Sequence, residues 1–189
     1  MSLTEEFSTI QLILNSQAET RGVDAFALAL IKSEKQMRRL VTHLVYQSSA
    51  FGVADKSALR QALGSNNRVY FQGLEDGFDA LYPQSVGQLV GSEYHRLSKQ
   101  LHIATTYRNK IFHGQLTADS LTRSQLRGFV DDIRRWCEIL SNSCRAEIGY
   151  EGFSNSFRKS KLDGLDAKLQ IKLSSVKDYS DFIRNYMQR

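Results

Sequence analysis

The eight residues Tyr107-Arg108-Asn109-Lys110-Ile111-Phe112-His113-Gly114 pack strong chemistry into a short stretch. Arg108 offers a planar fork of donors suited to holding an oxyanion. His113 offers an imidazole, a group that gains and loses a proton near neutral pH. Asn109 can orient the histidine or bond the anion itself. Together they are the equipment for acid–base chemistry on an anionic group. The Arg-to-His step is not distinctive by itself, because Arg38 and His43 repeat it and Arg96 to His102 differs by one residue. Context sets 108–113 apart: Asn109 follows the arginine, Gly114 follows the histidine, and the stretch closes one long helix ahead of another. Arg38 and His43 fall inside a continuous helix, where a structural role is expected.

The periodicity predicts a helix from Ser92, an N-cap with Glu93 in its first turn, to His113, with Gly114 placed to stop it. Tyr94, Leu97, Leu101, Ala104 and Ile111 form its apolar stripe, and Arg108 falls on that stripe. His102, Thr106, Asn109 and His113 form a second face. Arg108 and His113 are about 140° apart on a regular helix, so Arg108 sits at the edge of that face or the helix loosens near Phe112.

Other helices must position this one. One is expected over Thr4–Gln17, with Phe7, Ile10, Ile13 and Leu14 on one face. A longer one runs over Val23–Gln47, its stripe interrupted by Glu34 between Leu30 and Met37. A carboxylate there either has a buried partner or reaches water at the stripe's edge. Asp55 caps a short helix through Leu63, and Gly64-Ser65-Asn66-Asn67 is a turn. A helix over Asn67–Leu81 is weakened by Gly73 and Gly77 and ended by Pro83, and Ser85–Val90 makes one turn more. The last long helix starts at Thr117 or Thr122, where Thr122 and Gln125 form a capping box, and ends at Ile148. Leu126, Phe129, Val130, Ile133, Trp136, Cys137, Leu140 and Cys144 mark its buried face.

After Gly149 the pattern changes. A polar loop to Lys161 is followed by alternating Leu169, Ile171 and Leu173, which predicts a short strand paired with Ile148–Tyr150. Ser175 and Asp178 then cap an amphipathic helix carrying Val176, Tyr179, Phe182, Ile183, Tyr186 and Met187. The expected fold is all-α: a bundle of five to six helices over residues 1–148. An extension over 149–189, with a short β-hairpin and a final helix, would pack on the bundle or on a partner.

Composition narrows the classes. The chain has 189 residues, a net charge of +5 and a pI of about 9.2, which permits an anionic partner without demanding one. No apolar run approaches a membrane span, and the polar, acidic start is unlike a signal peptide. Cys137 and Cys144 stack on one helix face, too far apart along the axis for a bond, and read as buried free thiols of a cytoplasmic protein. There is no phosphate-binding glycine loop, no Gly-x-Ser-x-Gly elbow and no Cys/His cluster with metal-ligand spacing. Asp131-Asp132 face different ways on a helix and read as a solvated surface.

Arg108-Asn109-x-x-x-His113, near the end of a long helix in an all-helical chain, resembles the signature of HEPN domains. That resemblance covers about Thr4 to Ile148. It implies a four- to five-helix bundle whose motif is Arg, four to six residues, then His, often with Asn after the Arg. Many such domains are metal-independent endoribonucleases of toxin–antitoxin and antiphage systems, and they commonly dimerise with the two motifs facing across one cleft. By that resemblance Arg108, Asn109 and His113 would be catalytic, RNA the substrate, a second copy the partner, and an antitoxin protein a further one. No cofactor is implied. Some members carry a Tyr two residues past the His that an antitoxin modifies; here that place is Gln115. A HEPN-like module that binds nucleotide or RNA, or dimerises, without catalysis is the alternative.

RNA supplies its own nucleophile, the 2′-OH beside the scissile phosphate. His113 would move the proton and Arg108 would hold the phosphate. Glu34 and His102 would support the site, and Lys110, Arg123, Arg127 and Arg134 would track the RNA backbone. Plainer readings stand beside these. His113 is also a favourable cation at a helix C-terminus, Arg108 an ion-pair partner for Glu34, and the surface arginines aids to solubility.

Overall fold

The computed structural model describes residues 3–113 and 121–188. Its centre is two long antagonists of solvent: α2 (Arg21–Gln47) packed along α7 (Arg123–Ile148). Their facing stripes are fully buried, Phe26, Met37, Leu40 and Leu44 on α2 and Ile133, Trp136, Cys137 and Leu140 on α7. Both cysteines are free and buried, and burial pushes both thiols up. The α7 start is as expected: Thr122 accepts from the Gln125 N–H and Gln125 returns the bond.

Around this pair sit α1 (Leu3–Asn15), α3 (Lys56–Gly64), α4 (Phe71–Leu81), α5 (Val86–Val90) and α6 (Tyr94–Phe112). The first of these packs on α2, and so does α4, while α6 lies against α7. One buried charge fastens α1: Glu6 receives Lys32 at 2.5 Å and Lys35 at 2.9 Å. Burial alone would push its carboxyl up, but the two ammonium groups hold it below the ordinary value.

Ser92 does not cap α6. Gly91–Glu93 forms a 3₁₀ turn that runs straight into the helix. Glu93 instead accepts Arg135 at 2.7 Å and Arg96 at 3.2 Å, tying α6 to α7. At the other end α6 stops at Phe112, and the His113 N–H still reaches the Asn109 carbonyl at 3.1 Å. Gly114, Gln115 and Thr117, on which helix-stop, regulatory and helix-start expectations fell, lie outside the described residues.

Among the described residues the extension forms no hairpin. The sole β pairing among the described residues is an isolated antiparallel bridge between Val69 and Gln188. Leu169 and Leu173 are buried and Gln170 is exposed, so the alternation reports a real two-sided segment. Its intended partner is already used: Ile148 closes α7 and Tyr150 is fully buried in the core. The segment therefore bonds to helix ends, with the Gln170 N–H on the Leu81 carbonyl and Ser48 Oγ on the Leu173 carbonyl.

Short α8 (Leu165–Lys168) and α9 (Val176–Phe182) follow, the latter running on as a π turn over Ile183–Met187. Tyr150, Phe153, Tyr179, Phe182 and Met187 belong to the same core as α2 and α7, so the extension is packed on the bundle. Gly73 and Gly77 permit this. A Cβ at Gly73 would lie 1.9 Å from the Met187 carbonyl oxygen, and one at Gly77 2.7 Å from Met187 Cγ. The glycines that weaken α4 as an isolated helix are what let the chain's last turn approach it.

Candidate functional site

The last turns of α6 face a cavity of about 390 Å³ bounded by α2, α4 and α6. Ser98, Leu101, His102, Thr105, Arg108 and Asn109 line it from α6 at steps of three and four, as one helix face must. Leu30, Ser33 and Glu34 come from α2, and Phe71, Gln72 and Glu75 from α4, with Tyr70 just before it.

Arg108 is partly buried at the rim, its side chain 24% exposed. Its Nε and Nη2 donate to Asn109 Oδ1 at 3.2 and 3.0 Å, and its Nη1 lies 3.9 Å from Glu34 Oε2. Glu34 has a stronger partner one turn along its own helix, Arg38, whose Nε and Nη2 reach Oε1 at 3.0 and 2.8 Å. Arg38 is itself fixed by the Val69 carbonyl at 3.0 Å. Glu34 thus stands between two arginines and only partly neutralises Arg108. Its stripe position has both expected consequences at once: a cationic partner and a side chain still 30% exposed.

His113 is exposed at the C-terminal end of α6 and does not line the cavity. His102 does line it and is exposed. The structure therefore brings Arg108, Asn109, Glu34 and His102 together and leaves His113 one turn further along, exposed and outside the cavity lining. Thr106, expected on the same face, is exposed and bonds back to the His102 carbonyl.

The four basic residues expected to track an RNA backbone do not gather around Arg108. Lys110 is half-buried and about 200° around α6 from it. On α7, Phe129 meets Tyr107, Asp132 meets Arg96 and Trp136 meets Tyr94, so that stripe faces α6. Arg127 and Arg134 are each two residues from it, about 200° around the helix, and exposed on the other side. Arg123 rests against Gly22 at the start of α2.

Glu75 lines the same cavity and lies outside the Arg–His motif. It is 3% exposed, and its Oε1 has no hydrogen-bond partner among the described residues. Burial, helped by the nearby charges of Asp79 and Asp76, pushes its carboxyl up to about 8, so at neutral pH it is mostly a neutral acid. The signal was present: Glu75 is four after Phe71 and three before Phe78, the same interruption of an apolar stripe that singled out Glu34.

The other Arg–His pair with this spacing sits in a different environment. His43 is fully buried, stacked on Tyr150 with ring centroids 4.4 Å apart, and its Nδ1–H donates to the Ser156 carbonyl at 3.2 Å. Burial pushes its imidazole down to about 4.

Among the described residues no group of three or more His, Cys, Asp or Glu side chains is placed to hold a metal ion, and no helix is long and apolar enough to cross a membrane. Comparison with protein-family models, with curated proteins and with solved structures found no match.

Proposed function

We propose that this chain is a HEPN-type endoribonuclease that cleaves RNA by attack of the 2′-OH and works as a dimer with a composite site, in the manner of a toxin or antiphage effector. The observation that carries the reading is Arg108. It is held at a cavity rim by Asn109 and Glu34, with donors to spare, one helical turn from a solvent-exposed imidazole. A guanidinium in that setting can bind a phosphate and stabilise the charge that builds on its oxygens.

The chemistry needs no group the chain lacks. One histidine takes the 2′-OH proton as the 2′-oxygen bonds to phosphorus. The P–O5′ bond breaks, and a second histidine, His113 of the other copy, returns a proton to the departing O5′. The products are a 2′,3′-cyclic phosphate and a 5′-hydroxyl. The exposure of His113 supports a site completed from a second copy, since none of the described residues encloses it.

One observation favours the non-catalytic alternative: His113 does not line the cavity that Arg108 does. Single-stranded RNA incubated with the protein and with Arg108→Ala and His113→Ala separates the two. Loss of cleavage by about a hundredfold or more in both variants, with unchanged melting, is the expected result. RNA that is bound by wild-type protein but never cut would leave the binding module standing.

A further inference from the structure

We propose that a second cavity, bounded by α2, α3 and the loop that follows α7, is a phosphomonoester site built on Arg39 and Arg60. The cavity has a volume of about 280 Å³ and shares no lining residue with the one that Arg108 lines. Arg38, Arg39 and Thr42 face it from α2, Arg60 from α3, and Ser154 and Asn155 from the loop; no acidic side chain lines it. Arg39 and Arg60 are each held by a contact that leaves donors over. The Arg39 Nη1 donates to the Phe153 carbonyl, and the Arg60 guanidinium carbon lies 5.3 Å from the centre of the Phe157 ring. Among the described residues neither arginine has a carboxylate partner. Arg38 alone of the three is paired, with Glu34 at 2.8 Å, and Arg108 draws on that same carboxylate from 3.9 Å.

The walls are fixed before any ligand arrives. Phe153 and Phe157 are buried in the core, the Tyr150 hydroxyl donates to the Ser154 carbonyl at 2.6 Å, and Asn155 Oδ1 accepts the Phe157 N–H at 3.1 Å. Three like charges therefore converge on one preformed hollow, and an anion there replaces their repulsion by attraction. A phosphomonoester matches the hollow better than other anions of its size. It carries about two charges near neutral pH and offers three open oxygens to the Arg39 and Arg60 forks. A carboxylate or a phosphodiester carries one charge and offers two, which a single fork fills. A volume just under the roughly 300 Å³ at which small-molecule sites begin admits the phosphate and leaves most of its carrier outside. The inference is independent of the ribonuclease reading.

The test is calorimetric titration of the full-length Arg108→Ala protein with inorganic phosphate at constant ionic strength, so that the guanidinium of the other cavity takes no part. Saturable binding in the millimolar range is expected. Arg60→Gln and Arg39→Gln, each added to that background, should weaken it at least about tenfold. Arg60 is exposed, so its variant should fold and melt as its parent does without phosphate; it decides alone if loss of the Phe153 contact unfolds Arg39→Gln. Acetate should not displace the phosphate. Displacement by AMP alone places the source among small phosphomonoesters; displacement also by a 5′-phosphorylated, 2′-O-methylated RNA strand places it at a strand's end. The proposal is overturned by phosphate that does not saturate, by undiminished binding in the Gln variants, or by equal displacement with acetate or with the same strand lacking its 5′-phosphate.

Discussion

Arg38–His43 on α2 and Arg108–His113 on α6 have the same two residue types at the same spacing, and the fold treats them in opposite ways. His43 is buried, stacked and hydrogen-bonded to a backbone carbonyl, while His113 stands in solvent at a helix end. Arg38 spends its donors on Glu34 and the Val69 carbonyl; Arg108 is held through Asn109 and lies at a longer distance from that same Glu34. Spacing along a helix fixes only an angle. Which neighbours lie along that angle decides between a strut and a site.

The comparison is broken most directly by removing each histidine. His113→Ala should lower RNA cleavage by about a hundredfold or more and leave stability within about 0.5 kcal/mol, because the residue is exposed. His43→Ala should do the reverse, costing about 2–4 kcal/mol through the cavity left beside Tyr150 while each folded molecule keeps its activity. Chemical denaturation and a cleavage assay on the same preparations check both.

A second contrast lies in pH. The folded imidazole of His43 titrates at about 4, below an unfolded value near 6.5. Between those values the unfolded chain binds the extra proton, so stability rises with pH across that window. The contribution is fully present above about 6.5 and is lost as pH falls toward 4, by about 3 kcal/mol at most. His43→Gln should flatten this slope in denaturation midpoints measured from pH 7 to 4. His113→Gln should leave it as it is.

Smaller effects sharpen the roles of the shared carboxylate. Glu34→Gln removes the charge that both arginines address; cleavage should fall by about tenfold as Arg108 loses its orientation, with the conservative Glu34→Asp recovering part of it. Arg38→Ala should leave cleavage within about twofold and cost at most about 1 kcal/mol, since its ion pair is partly solvated.

Much of this was legible in the sequence because helices announce themselves through periodicity. The α2 and α7 stripes, the Thr122–Gln125 capping box and the Ser175 cap are local patterns, and local physics decided them. The hairpin failed for a non-local reason: the alternation at Leu169–Leu173 is real, but α7 had already claimed Ile148, and the core Tyr150. The capping expectation at Ser92 failed where Glu93 found Arg135 across the bundle and Arg96 one turn along its own segment. Glu34 was visible as a charge on an apolar stripe, and Glu75 carried the same mark. The arginines of α7 illustrate the limit. Steps of four and seven put Arg123, Arg127 and Arg134 on one side of the helix, but spacing does not say that the opposite side faces α6.

The central claim is that Arg108, Asn109 and His113 form a ribonuclease site, and its sharpest test uses the nucleophile. A single-stranded RNA cut by the protein is resynthesised with one 2′-O-methyl group at the nucleotide 5′ to the break, and the ends of all products are identified. The account predicts a 2′,3′-cyclic phosphate and a 5′-hydroxyl from the unmodified RNA, and no break at the methylated position. Cleavage of the methylated RNA at an undiminished rate would contradict it.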